Sequence, residues 1–363
     1  MRMRPAGVQL ISAPAVAMAR PVAVDVAPRA PGVFRSLKVA LVSDALTRAC
    51  LGEECRVRDL TPLNYWVTLR LWRPDLVFVE SAWQGWRNAW KYKVAAYPDH
   101  PDRSNARLQD LVVCAKDLGI PVVFWNKEDG VHFERFVASA RLFDHVFTVD
   151  ENCLPRYRAV MGPCASVHSL PFPVQPRHHH FTGFNFRHRR VNFVGSYSQH
   201  MHDRRRLWQD DVFDAACRAG LGLTVFDRNS DRKAAHYRYP SLPGLEVMAA
   251  VPHDQTARIY KDYLISLNVN TVADSATMYS RRLVEILACG GLAVTAPARS
   301  VETMFKEYCW VVSDRTQAQD LFARFAHGPQ PADLERARAG ADYVAREHTW
   351  SRRLEEIIRV VGL

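Results

Sequence analysis

The chain has 363 residues, of which 48% are hydrophobic and 24% are charged, so it is large enough for two globular domains. The net charge of +10 favours anionic partners such as nucleotide phosphates or an anionic membrane surface. Without a run of about 20 apolar residues, no membrane-spanning helix is predicted. The sequence has no recognisable nucleic-acid-binding motif, so we expect no nucleic-acid partner.

The N-terminal residues 1–35 are rich in proline, alanine and arginine, and we predict a disordered leader. The first twenty residues also resemble a signal peptide, although Pro14 interrupts their apolar stretch, and this alternative stays open. The eight cysteines are scattered without a CxxC pair. We therefore expect free thiols, no zinc site and a reducing, cytoplasmic location.

Four apolar segments in the first half of the chain each end in polar groups. They are "LKVALVSDALT", "PDLVFVESAW", "IPVVFWNKED" and "DHVFTVDENC", and a helical segment at 105–118 lies among them. Continuous apolar strands that alternate with helices predict a parallel sheet covered on both faces. We assign this pattern to an N-terminal Rossmann-like domain at 36–172, which would hold an acceptor.

The segment 173–190 is rich in proline, histidine and arginine and is predicted to be a linker. A second α/β pattern follows at 191–345, with strands at "RRVNFVGSYS", "GLTVFD", "LISLNVN", "LAVTAP" and "WVVSD". Asp203 is predicted to cap a helix that buries Trp208, Val212 and Ala216. We expect two Rossmann-like domains that face each other across a cleft, with a final helix at 346–363 packed on the first.

The segment "YSRRLVEILACGG", Tyr279 to Gly291, predicts an anion-binding helix end. Ser280 is expected to cap the helix, whose free N–H groups and dipole attract negative charge. Arg281 and Arg282 add two guanidinium groups suited to phosphate oxygens. Glu285 lies one turn after Arg281, so it can reach a ribose diol or form an ordinary ion pair with Arg281. The spacing leaves both alternatives open.

Gly195 and Ser196 end a predicted strand where the backbone can approach a phosphate closely. This turn is not a GxGxxG fingerprint, and the sequence has no GxxxxGK[ST] loop. The nearby arginines 204–206 are interpreted as a solvated helix start, with the alternative that one of them points into the cleft.

Candidate catalytic residues follow the third strand of the first half, in "WNKEDGVHF". Glu128, Asp129 and His132 are the groups there that could take a proton from an acceptor hydroxyl. Asp44 and Glu80 follow neighbouring strands and are expected at the same edge.

Two further segments have simpler interpretations. The run His178 to His180 has no partner cysteines and no HExxH pattern, so we expect a solvated loop and no metal site. Trp83, Trp86 and Trp90 could hold a sugar face or pack in the core.

In combination, these segments resemble the GT-B glycosyltransferases and, more narrowly, the spore maturation protein CgeB family. The resemblance also includes "LPFPVQP" and "AREHTWSRRLEEI" and covers about residues 37–357. It implies transfer of a sugar from a UDP-, GDP- or dTDP-linked donor without a metal or other cofactor. Arg281 and Arg282 match positions near the donor phosphates, and the preceding Tyr279 and Ser280 are also predicted to bind the donor.

In the same resemblance, Glu285 matches a ribose-binding glutamate, and Gly195 and Ser196 match the loop beneath the diphosphate. Many retaining enzymes have two glutamates eight positions apart, and Thr277 stands in place of the first, which favours an inverting reaction with a base from the first domain. Gly130 replaces a proline of the family pattern and is expected to loosen its loop.

The predicted function is therefore a hexosyltransferase-like enzyme that acts on a glycan, lipid-linked or protein acceptor. We expect it in the cytoplasm, with a peripheral contact to an anionic inner membrane. Two alternatives remain: a sugar-nucleotide epimerase of the same architecture, and a non-catalytic spore or envelope assembly protein. The donor sugar and the acceptor are not determined by the sequence.

Overall fold

The computed structural model describes residues 33–363. Most of the predicted leader therefore lies outside the described residues, and residues 33–36 form a turn. Within residues 33–363, no helix is both long and apolar enough to cross a membrane.

The N-terminal half is one parallel sheet of six strands in the order β2-β1-β3-β4-β5-β6. The strands are β1 (Lys38–Val42), β2 (Arg56–Asp59), β3 (Leu76–Glu80), β4 (Val122–Asn126), β5 (His145–Thr148) and β6 (Ser166–Ser169). The helices are α1 (Ala45–Glu54), α2 (Tyr65–Trp72), α3 (Ala106–Asp117), α4 (Phe133–Ala140) and α5 (Leu154–Met161).

The C-terminal half is a second six-stranded parallel sheet in the order β12-β11-β10-β7-β8-β9. Its strands are β7 (His188–Gly195), β8 (Leu223–Asp227), β9 (Leu245–Met248), β10 (Tyr263–Asn268), β11 (Leu292–Thr295) and β12 (Trp310–Val311). The helices are α6 (Asp203–Arg218), α7 (His253–Asp262), α8 (Arg281–Ala288), α9 (Arg299–Met304), α10 (Arg315–Ala326), α11 (Pro331–Glu347) and α12 (Trp350–Val361).

The predicted fold class is confirmed, because each half is a parallel sheet with helices on its faces. Strands β3 and β4 are buried at every residue, which explains their continuous apolar sequences. The sequence did not predict β2, β6 and β9, which lie at sheet edges. In β2, for example, Arg56 and Arg58 are solvent-exposed, so the strand has no apolar run.

The start of α6 differs from the prediction. Asp203 is the first helical residue, and the capping position belongs to His202, whose backbone is left-handed with φ of 59°. The Asp203 carboxylate lies 3.3 Å from Arg206 Nη2 instead. The predicted buried face of this helix is confirmed, since Trp208, Val212 and Ala216 are all buried.

The chain crosses between the halves at two places that lie side by side. After β6 it passes through Val174, and between α11 and α12 it passes back through Thr349; these two residues form a parallel bridge. The Val174 N–H donates to the His348 carbonyl at 2.8 Å, and the Trp350 N–H donates to the Val174 carbonyl at 3.1 Å. Helix α12 then buries Trp350 and neighbouring apolar side chains in a core with residues of the first sheet.

Candidate functional site

A cavity of about 550 Å³ lies between the two halves and is lined by residues of both. Several lining residues directly follow strands: Lys127 follows β4, Ser196 follows β7 and Arg228 follows β8. The cavity therefore lies at the carboxyl ends of the strands, where ligands bind in open parallel sheets.

The cavity wall is strongly basic. Arg205, Arg228, Arg281 and Arg282 line it, and none of them forms an ion pair with a carboxylate anywhere in residues 33–363. Charged groups held without partners in a partly buried site favour an anionic ligand. Four guanidinium groups in one cavity are suited to a group with two or more negative charges, such as a diphosphate.

Arg282 is the most constrained of these arginines. Its Nε donates to the Val194 carbonyl at 2.6 Å, and its guanidinium lies 4.6 Å from the centre of the Phe193 ring. Burial lowers the pKa of Arg282. Its Nη1 is buried and has no hydrogen-bond partner in the described part of the chain. A buried donor without a partner is costly, so this nitrogen is an unsatisfied group beside the cavity that Arg282 lines.

Gly195 makes room for Arg282 and does not itself line the cavity. A Cβ atom on Gly195 would lie 2.8 Å from Arg282 Nη2 and 2.5 Å from Phe193 Cζ. Only glycine therefore lets this guanidinium lie against the end of β7. Ser196, the next residue, lines the cavity as predicted.

The start of α8 lines the cavity, but Ser280 does not cap it as predicted. Ser280 occupies the capping position without a side-chain hydrogen bond to the helix, and its own N–H donates to Asn270 Oδ1 at 2.8 Å. No side chain therefore caps the first turn of α8, where the Leu283 N–H donates to the Ser280 carbonyl at 2.9 Å. Tyr279 also lines the cavity; its hydroxyl donates to the Phe172 carbonyl at 2.6 Å.

Glu285 pairs with His253 and not with Arg281. His253 Nε2 lies 2.7 Å from Glu285 Oε1, and no Arg281–Glu285 ion pair forms among the described residues. Burial raises the pKa of Glu285, but His179, His253 and Arg281 outweigh this effect and hold it at about 2. Glu285 is therefore a carboxylate at neutral pH. Arg281 lies 5.0 Å from the centre of the Phe172 ring.

The prediction of a solvated loop at His178 to His180 is wrong for His179, which is buried. Its Nε2 lies 2.8 Å from Thr256 Oγ1, and burial lowers its pKa to about 4. His179, His253 and Glu285 each offer a ligand atom within 4.8 Å of the others, so these three residues could hold a metal ion.

On the N-terminal side, Lys127, Glu128 and His132 line the cavity. Lys127 Nζ donates to Glu80 Oε1 at 2.9 Å and to Asp44 Oδ2 at 3.0 Å. Burial lowers the pKa of Lys127, but Glu80 and Asp44 outweigh it, and the pKa lies above its usual value. Asp44 and Glu80 therefore hold a lysine at the cavity and do not line it themselves.

Asp129 is not at the cavity wall, contrary to its predicted place beside Glu128. It is fully buried and accepts hydrogen bonds from Asn126 Nδ2 at 2.6 Å and from the Tyr157 hydroxyl at 3.0 Å. Burial raises its pKa to about 7. An acceptor molecule in the cavity has no access to this carboxyl group, which leaves Glu128 and His132 as the predicted proton acceptors that face the cavity.

The Asp129 carboxyl should make stability depend on pH. Its pKa is about 7 in the folded chain and ~3.9 when unfolded. The stabilisation of the folded chain by the protonated Asp129 carboxyl is thus fully present below pH ~4 and is lost as the pH rises through 7. On going from pH 4 to pH 8, we expect the free energy of unfolding of Asp129→Asn to increase by about 2–4 kcal/mol relative to that of the wild type. Urea unfolding at both pH values measures this, with the exposed Asp117→Asn as control; equal shifts in both variants would contradict it.

Other predicted residues lie outside the cavity. Thr277 Oγ1 donates to the Val149 carbonyl at 3.0 Å, so it joins the two halves. A Cβ on Gly130 would lie 2.8 Å from Val272 Cγ2, which indicates close packing between the halves and not the expected loose loop. Trp83, Trp86 and Trp90, for which sugar contact and core packing were both open, do not line the cavity, and Trp90 is a core residue.

Sequence reasoning missed Lys127, Arg228 and His253, and left Arg205 as an alternative. Arg205 is the member of the 204–206 run that faces the cavity, where burial lowers its pKa to about 10. The available signal was position, because Lys127 and Arg228 each follow a strand directly and His253 begins a helix. A single residue after a strand has no distinctive sequence pattern.

The two facing parallel sheets, with a cavity at their carboxyl ends, define the GT-B glycosyltransferase fold. The structure is similar to an α-glucosyltransferase in complex with UDP and a 13-mer DNA containing an HMU base, with a TM-score of 0.62 and 10% identity over 90% of this chain and 100% of that chain. It is similar to T4 phage BGT in complex with UDP and Mn²⁺, with a TM-score of 0.55 and 12% identity over 90% of this chain and 100% of that chain.

A third similar structure is HepE from Anabaena in complex with UDP and glucose, with a TM-score of 0.53 and 10% identity over 90% of this chain and 91% of that chain. In sequence, residues 233–359 match the family described as glycosyl transferase-like. This segment runs from the loop after β8 through most of α12. A comparison with curated protein sequences gives no match.

Proposed function

We propose that the protein is a glycosyltransferase that moves a sugar from a nucleotide-sugar donor to a glycan, lipid-linked or protein acceptor. The observation that carries this proposal is the group of four arginines without carboxylate partners that line the cavity, two of them at the start of α8. The glycosyl transferase-like match over 233–359 supports it, as do similar structures that were solved with UDP. The closer kinship with the CgeB family remains a prediction.

In this proposal the C-terminal half binds the donor. The guanidinium groups of Arg282, Arg281, Arg205 and Arg228 donate to the diphosphate oxygens. These charges stabilise the diphosphate as the bond to the sugar breaks, which is the role a metal ion would otherwise have. We therefore propose metal-independent transfer from a UDP-, GDP- or dTDP-linked sugar. The Glu285 carboxylate accepts hydrogen bonds from the ribose hydroxyls.

The N-terminal half provides the base. In an inverting reaction, one group takes the proton of the acceptor hydroxyl as its oxygen bonds to the sugar carbon, while the nucleoside diphosphate leaves. Glu128 is our choice, because it lines the cavity and its carboxylate makes no hydrogen bond or ion pair within residues 33–363. His132 is the second candidate; its ring packs edge-on against Trp83 at 5.2 Å.

The surface of α2 supports a peripheral contact with an anionic membrane. Three large apolar side chains in and just before this helix are solvent-exposed, with fractions of 87%, 52% and 81% for Leu63, Trp66 and Leu71. Arg70 and Arg73 are exposed beside them. Apolar and aromatic groups among arginines are typical of helices that lie on anionic bilayers. Co-sedimentation with phosphatidylglycerol vesicles, compared with phosphatidylcholine vesicles, tests this contact.

The proposed function is tested with UDP, GDP and dTDP and their glucose and N-acetylglucosamine conjugates in EDTA-containing buffer. We expect one nucleoside diphosphate to raise the melting temperature, since it binds only the folded chain, and its sugar conjugate to be hydrolysed slowly without an acceptor. An epimerised sugar nucleotide in the NMR spectrum would indicate an epimerase instead. Neither binding nor turnover across the panel would contradict the proposal and favour a non-catalytic assembly protein.

A further inference from the structure

A chain of hydrogen bonds connects the linker segment before β7 to the cavity through α7. The Thr256 hydroxyl donates its only proton to the His253 carbonyl at 2.7 Å. Thr256 Oγ1 must therefore accept from His179 Nε2, which lies 2.8 Å away. This direction fixes the tautomer of His179, with the proton on Nε2.

The His179 ring also packs against His253. The ring centres are 4.8 Å apart, and His179 is buried. His253 is thus held by its backbone, through Thr256, and by its ring face, through His179. On its other side His253 Nε2 lies 2.7 Å from Glu285 Oε1. Because a carboxylate oxygen can only accept, His253 donates in this hydrogen bond.

The hydrogen bond leaves the two oxygens of Glu285 in different states. Oε1 is occupied by His253, whereas Oε2 makes no hydrogen bond within the described residues, and Glu285 lines the cavity. A carboxylate oxygen held in one orientation selects for a hydroxyl donor on a ligand. Without the His253 contact, Glu285 could rotate toward the neighbouring arginines.

We propose that His253 is a positioning residue: it orients Glu285 so that the carboxylate discriminates ribose from deoxyribose in the donor nucleotide. This inference rests on the proposed function and narrows it to ribonucleotide-linked donors. His253 acts through Glu285 and has no part in sugar transfer itself. The dTDP-linked donors, which lack the 2′-hydroxyl, become the disfavoured class.

The test measures dissociation constants by calorimetry in EDTA for UDP and GDP and for their 2′-deoxy and 3′-deoxy analogues. In the wild type, removal of a ribose hydroxyl should weaken binding about tenfold, as expected for a hydrogen bond to a charged group. In His253→Leu the ribonucleotides should lose about tenfold, while the deoxy analogues change less than threefold. His253→Gln, whose amide can donate to Glu285, should restore most of the discrimination.

The exposed Gln255→Leu variant on the same helix is the matched control and should bind as the wild type does. If the wild type binds none of UDP, GDP and dTDP, the donor assignment itself fails; if it binds dTDP alone, the positioning role is overturned while the proposed function stands. If it binds UDP or GDP but treats ribo- and deoxynucleotides alike, or His253→Leu weakens all ligands equally, the positioning role is overturned while the proposed function stands. Binding that appears only after Zn²⁺ is added would overturn it too, because the same three side chains would then hold a metal.

Discussion

Replacement of Arg282 by methionine is expected to lower kcat/KM for the sugar nucleotide by about 10²–10³-fold, with most of the loss in kcat. The reason is that Arg282 lines the cavity and forms no ion pair within residues 33–363, so its positive charge acts on the charge that develops on the leaving diphosphate. Methionine fills much of the same space over Phe193 but carries no charge. Arg282→Lys keeps the charge and loses the forked donors, so its kcat/KM should lie between those of the wild type and Arg282→Met.

The matched control is Arg204→Met, since Arg204 is an exposed arginine outside the cavity and should keep full activity. Melting temperatures of both variants separate loss of fold from loss of catalysis. A folded Arg282→Met enzyme with kcat/KM within threefold of wild type would contradict the assignment of the diphosphate site.

The second large effect is expected at Glu128. Glu128→Gln should lower kcat by about 10²–10⁴-fold, because the amide cannot take the proton of the acceptor hydroxyl. The donor KM should change little, since Glu128 belongs to the half opposite the arginines. Steady-state kinetics with a saturating acceptor measures both constants.

Glu134→Gln is the control for this variant, because Glu134 is an exposed residue of α4 paired with Arg156 at the surface. We expect it to retain activity. His132→Gln completes the set: if it abolishes turnover while Glu128→Gln does not, His132 is the base and our choice of Glu128 is wrong.

Much of the fold could be predicted because central parallel strands are buried on both faces and therefore appear as continuous apolar runs. The edge strand β2 shows the limit of that rule. Its sequence, Arg56-Val57-Arg58-Asp59, alternates between exposed and half-buried residues and resembles a loop until its pairing with β1 is known.

The candidate site was predictable where its residues are contiguous. The sequence placed Arg281 and Arg282 together at a helix start, and both line the cavity, whereas the partner of Glu285 could not be predicted. Sequence spacing offered Arg281, four residues away, as one alternative, but the actual partner is His253, 32 residues distant in the chain. Local patterns identify neighbours along a helix, and the contacts that complete a site depend on how the sheets bring distant segments together.

The side-by-side crossings at Val174 and Thr349 have a mechanical consequence. The two chain segments lie side by side, so a rotation of one half against the other would take place about this narrow connection, through changes in a few backbone dihedrals. The Tyr279 hydroxyl on the Phe172 carbonyl places the start of α8 close to that axis, where rotation displaces atoms least. Such a rotation would hardly move a ligand group bound at the start of α8. It would move the opposite cavity wall, which contains Glu128, toward that group or away from it.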